Sequence, residues 1–337
     1  MRCVGRSSEG KLPANSFRAM AGEGRMTRIV TGRSCAAAAF FCGASFLCSP
    51  GQAEAPAPTF QASFATGCLN PKDWKVSGQL DKAVRADRIR CVDAERAGQE
   101  KPALAITVKP GDAYDPNPGS TPTERSEVQM TAELIRFDAT SWYSFRFRVE
   151  SPWAPRRNRT VIQQIKQNID LRYEKGRGGE EICDAGNPLF KIEVDSDNGK
   201  PVFRAKTAGT EGCGDSVGQA QFCGDWPVAP DRWHRINVMI RPSQQAGESR
   251  LRLWLDGRAC PEFRGVLGYP RYGTTKDGKP FIDTQPRFGI YRDALPDVSQ
   301  TILFDDIAFW TQDPTGHAAW AGIVETRPDQ PVAQANR

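Results

Sequence analysis

From residue 60 onward, apolar residues recur at every second position in short runs that are separated by turn-forming residues. Side chains alternate between the two faces of a β-strand, whereas a helix repeats every 3.6 residues. The clearest run alternates the apolar residues Tyr143, Phe145, Phe147 and Val149 with the polar residues Ser144, Arg146, Arg148 and Glu150. The pattern therefore predicts an all-β fold of antiparallel strands.

Two dipeptides between alternating runs predict tight hairpins. Asn198-Gly199 and Asp256-Gly257 both tolerate the positive φ angles that two-residue turns require. Two further segments, 172–188 and 205–231, are rich in Gly and charged residues and are expected to be irregular loops. The spacing of strands and turns indicates a single large domain over residues 56–327.

The N-terminal region has the features of an export signal over residues 26–55. Met26 and nearby arginines form a basic start, an apolar stretch follows, and Ala53-Glu54-Ala55 resembles a cleavage site. Residues 1–25 precede this better start, which favours translation from Met26. The tail, residues 328–337, is expected to be flexible.

The apolar stretch of the signal runs from Cys35 to Cys48 and is shorter than the roughly 20 residues that span a bilayer as a helix. We therefore expect no stable membrane insertion and a mature protein that is secreted or periplasmic. Removal of the signal leaves an even number of cysteines, which suits an oxidising compartment. They are Cys68, Cys91, Cys183, Cys213, Cys223 and Cys260.

Three disulfides are the expected arrangement of these cysteines, and only Cys68–Cys91 is favoured as a local pair. A zinc site is disfavoured, because the sequence has no Cys-x-x-Cys pair and its histidines, His234 and His317, lie far from the cysteines. The formal net charge of +5 suits a polyanionic partner. Export and the lack of a basic helix argue against nucleic acid.

Three predicted strands each direct apolar residues to one face and polar residues to the other. In chain order, we assign to the core Val128 and Met130 of the first strand, Val161, Ile165 and Ile169 of the second, and Phe288 and Ile290 of the third. The opposite face of the first strand then carries Arg125, Glu127 and Gln129. That of the second carries Ile162, Gln164, Lys166 and Asn168, and that of the third carries Arg287 and Tyr291. Arg146 and Arg148 suggest a fourth polar strand.

The ordered blocks Arg-Ser-Glu-Val at 125–128, Gln-Ile-Lys at 164–166 and Phe-Gly-Ile-Tyr at 288–291 resemble the signature blocks of polysaccharide lyases of the alginate-lyase, heparin-lyase I and glucuronan-lyase type. The resemblance runs through roughly residues 120–310. It implies a concanavalin A-like β-jelly roll sandwich of two antiparallel sheets. It also implies cleavage of a uronic-acid-containing polysaccharide by β-elimination in a cleft on the concave sheet.

The resemblance also implies roles for individual residues. Arg125 would bind a substrate carboxylate or subsite oxygens, with Glu127 holding it in place. Gln164 would hydrogen-bond the carboxylate of the sugar that is cleaved. Tyr291 would protonate the departing oxygen. Further substrate contacts are expected from Gln129, Arg146, Arg148, Asn168, Arg287 and Arg292.

Lys166 stands where relatives commonly have histidine, and three interpretations remain open. Lys166 is the base, with a pKa lowered by neighbouring cations and burial. Alternatively, Tyr291 is both base and acid and Lys166 neutralises the carboxylate. In the third interpretation elimination is lost, and the protein is a lectin-like binder of acidic exopolysaccharide.

Other functions have weaker sequence support. A glycoside hydrolase needs paired carboxylates, but the run Glu193-Val194-Asp195 continues into a turn instead of a second acidic position. No cofactor is required, although Asp305 and Asp306 are candidates for a structural calcium site. His234 is expected to be a structural imidazole at the edge of the core. The expected partner is an acidic polysaccharide, and the protein is expected to be a monomer.

Overall fold

The structure is a computed structural model. It describes residues 54–65, 68–77, 82–112, 122–153, 159–168, 188–209, 220–243, 245, 247–268, 283–295 and 297–323. Residues 26–53 of the predicted signal segment, Cys183, Cys213 and the tail 328–337 lie outside these residues.

The described residues form mainly β-strands. In chain order these are β1 (Phe60–Gln61), β2 (Trp74–Ser77), β3 (Ile89–Val92), β4 (Ala103–Val108), β5 (Thr123–Met130), β6 (Ser141–Val149), β7 (Thr160–Asn168), β8 (Phe190–Asp197), β9 (Lys200–Thr207), β10 (Ala220–Pro227), β11 (His234–Arg241), β12 (Ser249–Leu255), β13 (Arg258–Ala259), β14 (Phe263–Gly265), β15 (Asp283–Asp293) and β16 (Gln300–Trp310). Helices α1 (Lys82–Arg88) and α2 (Ala94–Ala97) and a 3₁₀ turn (Ala318–Trp320) complete the elements.

The strands form two antiparallel sheets. One sheet has the order β13-β12-β11-β6-β16-β4-β3, with β1 beside β16 and β14 beside β12. The second has the order β10-β9-β8-β7-β15-β5-β2 and is called the seven-stranded sheet below. The predicted all-β jelly-roll sandwich is confirmed.

The core lies between the two sheets and consists of the apolar face of each. Phe288 of β15 meets Phe145 of β6 edge to face, with ring centroids 5.3 Å apart, and meets Phe304 of β16 at 5.7 Å. All three rings are fully buried. Edge-to-face pairs of this kind add to the burial energy of the rings, and they fix the seven-stranded sheet against the other one.

The predicted hairpins are confirmed. Asn198 and Gly199 have φ angles of 50° and 78° between β8 and β9, and Asp256 and Gly257 have φ angles of 50° and 79° between β12 and β13. The prediction that 205–231 is wholly irregular was wrong, because this segment contains β10, which pairs with β9 through two register shifts. These irregularities obscure the two-residue period in the sequence.

Two disulfides lie within the described residues. Cys68–Cys91 confirms the predicted local pair, and Cys223–Cys260 joins β10 to the residue after β13. The second bond therefore ties the edge of the seven-stranded sheet to the edge of the other sheet. No described helix has the length and apolar character needed to span a membrane.

His234 is buried, as predicted for a structural imidazole. Its Nδ1 lies 2.7 Å from Oδ2 of Asp256, its Nε2 lies 3.1 Å from the carbonyl oxygen of Ala229, and its ring stacks on Phe147. These contacts occupy both ring nitrogens.

Candidate active site

Strands β5, β15 and β7 are neighbours in the seven-stranded sheet, and they bring the three sequence blocks together. Arg125 lies opposite Tyr291, and Arg287 lies opposite both Gln129 and Gln164. Side chains of directly opposite residues project from the same face of a sheet. These polar residues therefore share the face that points away from the core, which is called the polar face below.

The alternation in β7 is interrupted, and one sequence assignment was wrong. Ile162 belongs to the core, whereas Val161 lies opposite Tyr291 and Glu193 and shares the polar face. Between Val161 and Gln163, β7 has one residue more than β8 and one residue fewer than β15. A β-bulge reverses the alternation in this way, so Gln164 keeps its predicted face while Val161 and Ile162 exchange theirs.

Glu127 connects the residues at the centre of the polar face. Its Oε2 lies 2.7 Å from Nε of Arg125, and its Oε1 accepts a hydrogen bond of 2.6 Å from Nε2 of Gln164. Glu127 is 0% exposed, Gln164 2% and Arg125 6%. Charge-assisted contacts in such a desolvated setting are strong and orient both partners. Glu127 therefore fixes the guanidinium and the amide relative to each other.

Gly289 gives Glu127 room to reach Gln164 across an intervening strand. It lies opposite Glu127 on β15, the strand between β5 and β7. A Cβ at Gly289 would lie 2.2 Å from the carbonyl oxygen of Ser126 and 2.9 Å from Cγ of Glu127, and its φ is 150°. A side chain at this position would therefore displace the carboxylate.

Tyr291 lies between two guanidinium groups. Cζ of Arg125 is 4.4 Å from the centroid of its ring, and Cζ of Arg159 is 4.9 Å from it. Nη1 of Arg159 also donates to the phenol oxygen at 3.4 Å, while Asp293 accepts from Nε of Arg159 at 3.0 Å. Arg159 therefore contacts both the ring and the hydroxyl oxygen of Tyr291, and Arg125 covers the ring.

The remaining predicted residues of these strands lie farther along the polar face. Lys166 is partly exposed and lies opposite Gln285, two residues from Arg287, whose Nη2 donates to Oε1 of Gln285 at 3.0 Å. Gln129 is partly exposed as well. The backbone of Asn168 pairs with Asp283, and its side chain lies outside the described part of the structure.

Arg146 and Arg148 are not part of this site, so the prediction that they form a fourth strand of it was wrong. They belong to β6, which lies in the other sheet. Arg146 pairs with Asp305 at 2.8 Å and with Asp306 at 3.0 Å, and Arg148 donates to the carbonyl oxygen of Ala97 at 2.8 Å. Arg146 and Arg148 therefore lie on the outer face of the other sheet, on the opposite side of the sandwich from the polar face.

Arg292 was also assigned wrongly to substrate binding. It is 1% exposed and donates through Nη2 to Glu124 at 2.7 Å and through Nη1 to Gln300 at 2.7 Å. Burial lowers the pKa of its guanidinium, and the pairing with Glu124 opposes that change. Arg292 is one residue beyond Tyr291 and so faces the interior of the sandwich, where its contacts are structural.

The carboxylates proposed for calcium are engaged by cations. Besides the contacts with Arg146, Asp306 accepts from Lys101 at 2.6 Å and from Arg235 at 3.0 Å. Burial would raise the pKa of Asp306, but the hydrogen bond from Lys101 and the charge of Arg146 hold it below its ordinary value. The calcium site stays a prediction, and within the described residues no three His, Cys, Asp or Glu side chains are grouped to hold a metal ion.

Strands β8 and β9 extend the polar face with charged residues that the sequence analysis left out of the site. The same two-residue alternation could have identified them, since the apolar residues Ile192, Val194, Phe203 and Ala205 lie in the core. The polar residues between them are Lys191, Glu193, Asp195, Arg204 and Lys206. Both Lys191 and Lys206 form ion pairs with Glu193.

Burial and charge shift the ionisation of this group. Burial lowers the pKa of Lys191, against the opposing charge of Glu193. Burial would raise the pKa of Glu193, but Lys191 and Lys206 together outweigh it and hold that pKa below its ordinary value. Burial and then the charge of Glu193 raise the pKa of Asp195 to about 7, although Asp195 accepts a 2.9 Å hydrogen bond from the backbone of Thr160.

The raised pKa of Asp195 predicts a pH-dependent effect of Asp195→Asn. The folded protein binds the proton of Asp195 more tightly than the unfolded chain does. The protonated side chain therefore adds to the free energy of unfolding in full below about pH 4, and this contribution is lost as the pH rises through 7. Relative to the unmodified protein, the variant should therefore gain up to about 4 kcal/mol in free energy of unfolding between pH 4 and pH 8.

Urea unfolding at both pH values measures this difference. Asp225→Asn is the matched control, because Asp225 is exposed and contacts the same Arg204 at 2.8 Å. A difference between Asp195→Asn and the unmodified protein that does not change with pH would contradict the prediction.

A sequence model of the family described as polysaccharide lyase matches residues 66–308, and the chain belongs to this family. No curated protein sequence matches the chain. The expectation that the protein is a polysaccharide lyase is thereby confirmed.

Two solved structures are similar to the chain, and the first of them supports its fold. The endo-β-1,4-glucuronan lyase of the fungus Trichoderma reesei is similar with a TM-score of 0.51 and 16% identity, covering 76% of this chain and 96% of that one. The family 7 alginate lyase AlgAT5 gives a TM-score of 0.43 and 11% identity, covering 71% of this chain and 94% of that one.

Proposed function

We propose that this polysaccharide lyase cleaves a uronic-acid-containing polysaccharide by β-elimination on the polar face of the seven-stranded sheet. The observation that carries the proposal is the contact series from Tyr291 through Arg125 and Glu127 to Gln164. It combines groups that suit a carboxylate with a phenol that can transfer a proton. The solved glucuronan lyase, which has the same fold, acts on a uronate polymer.

The elimination needs no water. The proton on C5 of the uronate is removed, the C4–C5 double bond forms, the C4–O4 bond breaks and the departing oxygen receives a proton. Negative charge builds up on the uronate carboxylate as the C5 proton leaves. The amide of Gln164 has two N–H donors, so one can bond Glu127 while the other bonds the carboxylate. Arg125 adds positive charge beside it.

Tyr291 is proposed to perform both proton transfers. Along the polar face the order is Tyr291 with Arg125, then Gln164, then Lys166. Lys166 lies opposite Gln285, six residues before Tyr291, so the two backbones are roughly 20 Å apart along the strand. Lys166 therefore approaches the carboxylate from the side of Gln164, whereas Tyr291 approaches from the other. In this proposal Tyr291 starts the cycle deprotonated beside Arg125 and Arg159, takes the C5 proton and passes it to O4.

A single proton-transfer group restricts the stereochemistry of the substrate. The C5 hydrogen and O4 must lie on the same face of the ring, because one phenol reaches both. Glucuronate and mannuronate have this arrangement, whereas guluronate, the C5 epimer of mannuronate, has the two on opposite faces. We therefore propose a glucuronate- or mannuronate-type polymer as the substrate.

Incubation with glucuronan, polymannuronate and polyguluronate tests this proposal, with ultraviolet absorbance of the unsaturated product as the readout. Absorbance should rise with glucuronan or polymannuronate and stay flat with polyguluronate. Equal rates on the two C5-epimeric polymers would contradict single-group transfer by Tyr291. Binding to these polymers without any product would favour the lectin-like alternative.

Substitutions of Lys166 separate a base from a carboxylate neutraliser. An arginine stays charged and cannot accept the proton, but it can pair with a carboxylate. Lys166→Arg should therefore keep kcat within roughly tenfold, whereas Lys166→Ala should lower kcat/KM by roughly 10- to 100-fold through loss of a charge-assisted contact. If Lys166→Arg is as inactive as Lys166→Ala, Lys166 is the base.

We further propose that the mature protein is exported. The disulfides Cys68–Cys91 and Cys223–Cys260 are typical of oxidising compartments, and a secreted or periplasmic enzyme would meet its polymeric substrate there.

A further inference from the structure

A row of hydrogen-bond donors crosses the polar face, passes through Gln164 and continues beyond the proposed reaction centre. Residues directly opposite each other on successive strands from β5 to β10 are Gln129, Arg287, Gln164, Lys191, Lys206 and Gln221. Each is an amide or a cation, and no carboxylate stands in this row. The three strands with the signature blocks supply only half of it.

Glu193 lies two residues beyond Lys191 on β8 and forms ion pairs with the two lysines of the row, Lys191 and Lys206. Glu193 is 0% exposed. Lys191 is buried, while the side chain of Lys206 is 21% exposed, so Lys206 is the lysine that a ligand can contact. An ammonium group carries three N–H donors, and the ion pair with Glu193 therefore does not exhaust its capacity.

The buried and half-buried groups of this cluster include more cations than carboxylates. Three cations, Lys191, Lys206 and Arg204, lie around Glu193 and Asp195, and Arg204 approaches Asp195 at 3.4 Å. Asp225 contacts Arg204 from the neighbouring strand and is exposed to solvent. Because Glu193 already fixes its lysines, an arriving anion needs little reordering of the protein.

We propose that Lys206, supported by Lys191 and positioned by Glu193, forms a second anion-binding subsite for the carboxylate of another sugar in the same polymer. Two strand spacings, or roughly 10 Å, separate the backbones of β7 and β9. A carboxylate at Lys206 therefore belongs to a different sugar from the one that Gln164 contacts. The subsite rests on the proposed uronate specificity and makes the enzyme select runs of charged sugars over isolated ones.

Binding measurements test the subsite independently of turnover. Affinity electrophoresis through gels containing glucuronan or polymannuronate gives the Kd, and it is performed in a Tyr291→Phe background so that the polymer stays intact. Lys206→Gln should weaken binding roughly tenfold or more, and Lys206→Arg should restore it to within about threefold. Lys72→Gln, at an exposed lysine in the turn before β2, should bind like the parent.

The same polymers with their carboxylates converted to methyl esters identify the recognised group. The effect of Lys206→Gln should nearly disappear on the esterified polymer. Unchanged binding of the charged polymer by Lys206→Gln, or an equal loss on charged and esterified polymer, would overturn the subsite. A polymer that binds in this lysine-dependent way without being cleaved by the unmodified protein would refute the proposed elimination and leave the subsite standing.

Discussion

Replacing Tyr291 with phenylalanine should lower kcat by roughly 10²- to 10⁴-fold, the usual contribution of a positioned proton-transfer group. Only the phenol oxygen is removed, so the ring can still stack on Arg125, whose Cζ lies 4.4 Å from its centroid. KM should change little, because the oxygen acts in the transition state and contributes little to binding of the substrate. Initial rates of unsaturated-product formation over a range of polymer concentrations measure both constants.

Tyr143→Phe is the matched control for this experiment. Tyr143 is fully buried on β6, and its hydroxyl donates to Oε1 of Gln163 at 3.4 Å on the core side of the sandwich. The control should lose about 1 kcal/mol of stability and retain its kcat. Full turnover by Tyr291→Phe would remove Tyr291 from the chemistry. A large loss in both variants would point to damage of the fold instead.

Replacing Glu127 with glutamine should cost about 3–5 kcal/mol of stability, because it removes the negative charge that contacts the buried guanidinium of Arg125. Glu127 is 0% exposed and Arg125 is 6% exposed, so water cannot replace the lost partner. The variant should also lose at least about 10²-fold in kcat per folded molecule, since Arg125 and Gln164 both lose the group that orients them. Urea unfolding and single-substrate kinetics at a temperature where the variant is folded measure the two effects.

Glu133→Gln provides the comparison for Glu127→Gln. Glu133 is exposed, and its Oε2 lies 3.8 Å from Nε of Arg136, a pair that is worth little in water. The control should match the unmodified protein in both stability and rate. A Glu127→Gln variant with unchanged kcat would show that the carboxylate serves stability alone, and the proposed orienting role would be wrong.

Local alternation predicts the antiparallel strands and the shared face at the centre of the site, whereas the jelly-roll arrangement was implied by the family resemblance. On β5 and β15 the two-residue period correctly places Arg125, Glu127, Arg287 and Tyr291 on one face. Alternation states which residues share a face but not which sheet a strand joins. Sheet membership depends on long-range pairing, and for that reason Arg146, on a strand with the same pattern, was assigned to the wrong side of the sandwich.

Departures from regular pairing explain the other differences. A bulge on β7 exchanges the faces of Val161 and Ile162, and a one-residue step from Tyr291 turns Arg292 into the interior. The charge of Arg292 suggested substrate binding, but in the structure Arg292 is paired with the buried carboxylate of Glu124. Alternation could not identify Arg159, because this residue lies just before the start of β7. It contacts Tyr291 because β15 pairs with β7 in the folded sheet.

The most direct test of elimination on the polar face compares two products of one reaction. The unmodified enzyme acts on the uronate polymer that it cleaves fastest, and both ultraviolet absorbance and new reducing ends are followed. Elimination forms one C4–C5 double bond for each new reducing end, so the two counts should rise in a ratio of about one. Both should be lost together in Tyr291→Phe. New reducing ends without absorbance would show that water cleaves the bond, and that result would contradict β-elimination by this protein.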